Sequence, residues 1–227
     1  MIPTTSYQQI LLKLTNDFEY WRRDDRSLKV TMCGFLFARP HNELASKEIF
    51  AEIGYFNHRM GPHIHIFIAG CFDRHLPRHQ FRDRRPIGQG KGWEYSDEAF
   101  DSLRREIEAF TAWRYRDGVE LLLLNAIRNS NTGEASLDFH SAISVDLQKA
   151  RELKSLDSVA ALIGRLANYC EQYRGDDPTW GFSDQMGVDT ARSALWNLLV
   201  GLLPEGLRKD ATTARLFVTQ DLTKSHI

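Results

Sequence analysis

Five of the chain's eight histidines, His58, His63, His65, His75 and His79, lie between positions 58 and 79. Imidazoles bind metals and move protons near neutral pH. In the run His63-Ile-His-Ile-Phe-Ile-Ala-Gly70, side chains alternate across a pleat, so His63 and His65 share one face. Two imidazoles at that spacing can bind one metal. Asp73 is the acid that folding would have to bring to them, and His41 is the available base. The chemistry this set would support is metal-dependent or acid-base hydrolysis of a phosphoester. Two features weigh against it. The pair stands at the start of its strand, whereas sites in parallel sheets gather at the carboxyl ends, and His75-Leu-Pro-Arg-His79 holds a proline, so it is no helical histidine pair.

A second group is cationic. Residues 72–95 carry Arg74, Arg78, Arg82, Arg84, Arg85 and Lys91 against Asp73, Asp83 and Glu94, interleaved with Phe81, Trp93 and Tyr95. Charge with stacking is how a phosphate, a nucleotide or a single nucleic-acid strand is held. The run Gly88-Gln-Gly-Lys-Gly92 precedes a helix, as phosphate cradles do, but lacks the Walker spacing and the Ser or Thr after Lys. Asp97 and Glu98 at the helix start would repel an anion. The same arginines could instead pair with acids of their own chain or of a protein partner. With Arg39 and His41 from an earlier loop, the ligand-binding set is Arg39, His41, Arg74, Arg78, Arg82, Arg84, Arg85, Lys91 and Trp93.

These residues need a frame. Ile10, Leu11, Leu14, Phe18 and Trp21 predict an amphipathic helix over 6–22, and Leu28 to Phe37 a buried strand. Ile49, Phe50, Ile53 and Phe56 predict a helix over 45–60 leading into the strand 63–70, which is apolar on both faces as in a covered parallel sheet. That is a β-α-β unit with a right-handed crossover. Residues 72–95 read as an insertion with little regular structure. Ser96-Asp97-Glu98 caps a helix to about 115, followed by a strand over 119–124, a turn at Asn129 to Gly133 and a paired strand over 136–145. The last strand alternates Leu137, Phe139, Ser141, Ile143 and Val145 on one face. Helices follow near 146–153, 158–173 and 189–203, and residues 215–220 suit an edge strand. A crevice at the carboxyl ends of the strands should collect Arg39, His41, Asn42, Asp73, Arg74, Asn125 and Arg128. Ser141 and Ser144 near His140 lack a nucleophile elbow.

The expected architecture is an α/β domain with a mixed, mainly parallel sheet of four to five strands over 1–155, and a helical extension over 156–227 packed on it. From 28 to 155 the order β, α, β, insertion, α, β, β, α resembles the thioredoxin-like core. The functional motif of that class is absent, since Ala38 to Lys47 holds no Cys-x-x-Cys and Arg116-Asp117-Gly118 stands where its proline would precede the third strand. The resemblance therefore implies a non-redox role. Nor is there the Gly-x-Gly-x-x-Gly turn of a dinucleotide fold.

Composition sets the bounds. At 227 residues, 42% hydrophobic and 26% charged, the chain can bury one substantial core, and a net charge of -1 gives no global pull toward nucleic acid or acidic membranes. Cys33, Cys71 and Cys170 form no paired spacing, the start lacks the pattern of a secretion signal, and the apolar run Ala194 to Leu203 is too short to span a bilayer. A cytoplasmic protein is expected. Ala194, Leu195, Trp196, Leu198, Leu199 and Leu202 carry more apolar surface than one helix face needs, which suits burial or a homo-oligomeric interface. The function this supports first is a non-redox binding or adaptor subunit engaging an anionic ligand, such as a nucleotide, or a protein partner through the basic insertion. The alternative is the phosphoester hydrolase above. No motif identifies a cofactor.

Overall fold

The computed structural model describes residues 2–23, 30–60, 64–75, 80–88, 92–153, 156–172, 217–220 and 222–223. The sheet grows outward from two strands too apolar to face water, β2 (Val30–Phe37) and β3 (Ile64–Ala69), every residue of which is buried. They run parallel in register from Met32 opposite Ile64 to Leu36 opposite Ile68. Between them the chain passes through α2 (Glu43–Ala45), a π-helical turn (Ser46–Phe50) and α3 (Ile53–Met60), so the crossover helix is broken rather than continuous.

Ahead of this unit lie β1 (Ile2–Thr4), parallel to β3, and α1 (Tyr7–Arg23). After it, β4 (Cys71–Asp73), β5 (Arg85–Pro86) and β6 (Trp93–Tyr95) extend the sheet, α4 (Asp97–Phe110) follows, and β7 (Glu120–Arg128) and β8 (Ala135–Asp146) form a hairpin. The remaining described elements are α5 (Leu147–Glu152), α6 (Val159–Gln172) and β9 (Phe217–Gln220). The strand order is β5-β6-β4-β1-β3-β2-β7-β8-β9. Five of these are the strands expected from sequence, and β1, β4, β5 and β6 are short additions. The fold is α/β with a mixed sheet, but among the described residues parallel pairing is confined to β1 with β3 and β3 with β2, so the described sheet is not mainly parallel.

The two faces are covered differently. On one, Phe37 packs against Phe100 of α4 and Trp113, and His65 faces Asp17 of α1. On the other, Met32 meets Cys170 of α6. Ile10, Leu14, Phe100 and Leu103 seal the first layer, and Ile49, Phe56, Leu162 and Leu166 the second.

Three expectations need correction. The stretch 72–95 is not an irregular loop: β4, β6 and β5 pair antiparallel in it. β7 runs antiparallel to β2, with Val30 opposite Ile127, which carries Asn125 and Arg128 away from the carboxyl end of β2. In the hairpin, Leu123 pairs with Ile143 but Asn125 with Asp138. That irregularity turns β8 over, so Leu137 lies on the sheet face opposite to Ile143 and Val145. The expected helix over 189–203, with its apolar run, lies outside the described residues.

Candidate functional site: the insertion and its anchor on the fourth helix

The insertion is fastened by its own charges. Arg84 donates through Nε to Glu94 at 2.5 Å and through Nη2 to the carbonyl of Arg74, with its guanidinium 4.9 Å above Phe72. Arg85 reaches Asp97 Oδ2 at 2.9 Å and lies over Tyr95. Asp83 accepts from the Ser96 hydroxyl and from the Glu98 backbone N–H. Ser96 is the N-cap of α4, its own hydroxyl accepting from Ala99 N. The position where a helix start would hold an external anion is thus filled by the chain's own carboxylate. Burial works against that charge, yet the Ser96, Glu98 and Asp97 donors keep the Asp83 carboxyl below its usual range.

Arg39, just beyond β2, is also held internally. It donates to Asp97 Oδ1 at 2.6 Å and Asp101 at 2.9 Å, and its guanidinium sits 4.3 Å from the Phe100 ring centre. Asp97 therefore gives one oxygen to Arg39, and to the hydroxyl of Tyr95, and the other to Arg85. His41 is exposed in the same loop. Of the cationic set, Arg39, Arg84 and Arg85 are brought to acids of the chain. Arg74 and Arg82 are exposed and make no ion pair with another described residue, and Arg78 and Lys91 lie outside the described residues. Trp93 is half-buried in β6, Phe81 packs on Phe72, and Tyr95 is fully buried. The stacking surface expected from the sequence is mostly spent on packing.

The histidine set is dispersed. His65 is buried beneath α1, its Nδ1 3.6 Å from Asp17 Oδ2. Burial drives its imidazole down to about 4, with Lys13 adding to the fall and Asp17 opposing it. Asp73 is exposed on β4, two strands over from β3, and caps the turn by accepting from His75 N. His63 lies outside the described residues. Among the described residues no group of three His, Cys, Asp or Glu is placed to hold a metal. Asp73 and Arg74 also leave the expected crevice, because β4 runs antiparallel to β1 and returns down the sheet. What gathers at the carboxyl end of β2 instead is Arg39 with Asp97 and Asp101 of α4. Sequence reasoning missed these acids as partners of Arg39, although their i, i+4 spacing on one helix face was visible.

Burial also disposes of the thiols. Cys33, Cys71 and Cys170 are buried and free, and burial pushes each well above the ordinary cysteine value, so none is a thiolate at neutral pH. No helix among the described residues is long and apolar enough to cross a membrane.

No family model, no curated protein and no solved structure matches this chain.

Proposed function

We propose that this chain is a non-redox α/β binding or adaptor subunit that engages an acidic protein partner through its insertion. One observation carries the reading. The insertion is pinned to the sheet and to α4 by Arg84, Arg85 and Asp83, while Arg74 and Arg82 stand in solvent without a described ionic partner. A surface held in place by internal pairs loses little entropy on binding. A protein surface is favoured over a nucleotide because Tyr95 and Phe81 are packed away and Asp83 fills the helix start. The buried thiols support the non-redox part. The order of elements from β2 to α5 supports a thioredoxin-like arrangement of the core, and the packing of α6 on the core supports an extension beyond residue 156.

The test is charge reversal where no internal pair is broken. Arg74→Glu with Arg82→Glu should abolish capture of the partner that the unaltered chain retains, and leave the melting temperature unchanged. Equal capture by both would overturn the proposal. Reversing Arg84 or Arg85 is no substitute, because it would set a carboxylate against Glu94 or Asp97.

A further inference from the structure

The insertion is held to the rest of the fold by side chains more than by main chain. Its segment 80–88 pairs with β6 through Arg85 opposite Tyr95 and Pro86 opposite Glu94, and a proline has no N–H to give the ladder. One further backbone bond runs from the Ile87 N–H to the Trp93 carbonyl at 3.2 Å. Three successive charged side chains span the margin beside it. Asp83 accepts from Ser96 and Glu98 at the start of α4, Arg84 reaches Glu94 of β6 and lies over Phe72 of β4, and Arg85 reaches Asp97.

The far end of the segment has an apolar seat. Ile87 is buried in the core, and Gly88, at φ +69°, lies so close to the π-helical turn that a Cβ would come within 2.6 Å of the Phe50 carbonyl oxygen. The charges at 83–85 and the seat at 87–88 thus rest on different elements, α4 and the π-helical turn. A segment with few buried apolar contacts and little main-chain bonding opens at a lower free energy than the core. Its ion pairs, unlike its seat, weaken as salt rises.

We propose that residues 80–88 are a strap that opens and closes as one unit over this margin of the sheet, with Asp83 as its latch, while β2 and β3 stay folded. Closure carries Arg82 to the turn at Arg74, whose carbonyl accepts from Arg84 and whose N–H is fixed separately to the Gly92 carbonyl. The closed strap therefore presents both exposed arginines on one surface, and opening takes Arg82 away. That consequence rests on the adaptor reading; the opening itself does not.

Two amides at separate attachments report closure in the full chain labelled with nitrogen-15: Ile87, bonded to the Trp93 carbonyl, and Glu98, bonded to Asp83. Each substitution is read at the attachment it does not touch. Asp83→Ala should speed hydrogen exchange at Ile87, and Gly88→Ala should speed it at Glu98, by roughly tenfold or more with β2 and β3 unchanged. In the unaltered chain, about 1 M salt should speed both. The inference is overturned if either amide ignores the distant substitution or the salt, or if β2 and β3 exchange as fast as the strap. Arg74→Glu with Arg82→Glu should leave both amides protected, so a failure of the adaptor reading and a failure of the strap are told apart.

Discussion

His65 turns burial into a measurable pH dependence. Its imidazole titrates at about 4 in the folded chain and near the ordinary 6.5 once unfolded. Between those values the unfolded state binds a proton that the folded state refuses, so stability rises with pH across the window. The contribution is complete above 6.5 and is lost as pH falls toward 4, about 3 kcal/mol over the window at about 1.4 kcal/mol per pH unit. Urea denaturation at pH 4, 5, 6 and 7 should show this slope, and His65→Leu should flatten it. Equal slopes would mean that the imidazole is not desolvated as the packing under α1 requires. The histidines were legible in the sequence as a residue type on a strand face, but not in their surroundings. Nothing near position 65 announces that α1, nearly fifty residues earlier, brings Asp17 and Lys13 over it. The same limit hid the fate of the arginines: their number was plain, but Glu94, Asp97 and Asp101 become their partners only once the strands are laid down.

Elements with a strong local signal were legible. The periodicity of α1, the Ser96 cap and the 129–133 turn each rest on contacts within a few residues. Strands of two or three residues have too few positions for a pattern, so β1, β4, β5 and β6 were not seen. The direction of β7 is a matter of topology that alternation does not encode. One glycine ties these short strands together. Gly70, between β3 and β4, has φ +77°, and a Cβ there would come within 2.8 Å of Phe100 Cβ and of the Ser96 carbonyl. Gly70→Ala should therefore cost about 2 to 4 kcal/mol, combining a left-handed backbone with an overlap against main chain. Ser96→Ala should cost about 1 kcal/mol as a lost cap, and more because Asp83 then loses a donor. Both are read by chemical denaturation, and a cost near zero at Gly70 would contradict the close packing of the β3–β4 turn on α4.

At the scale of the whole molecule, the sheet is protected at its centre and thin at one margin. Hydrogen exchange should be slowest in β2 and β3, covered on both faces, and fastest in β5, which is two residues long and contains a proline. Uniform exchange across the sheet would count against this layering. The margin closed by β5 is also where Asp97 divides its carboxylate between Arg39 of the central loop and Arg85 of the insertion. That sharing has an evolutionary consequence. Once Asp97 is lost, replacing Arg85 removes a charge that no longer has its counterpart, so that second substitution is cheaper than the first, whereas Arg39 still has Asp101. Positions 85 and 97 should therefore behave as an epistatic pair, more tolerant of joint replacement than of single change, with position 39 coupled to them less tightly because Asp101 shares its charge.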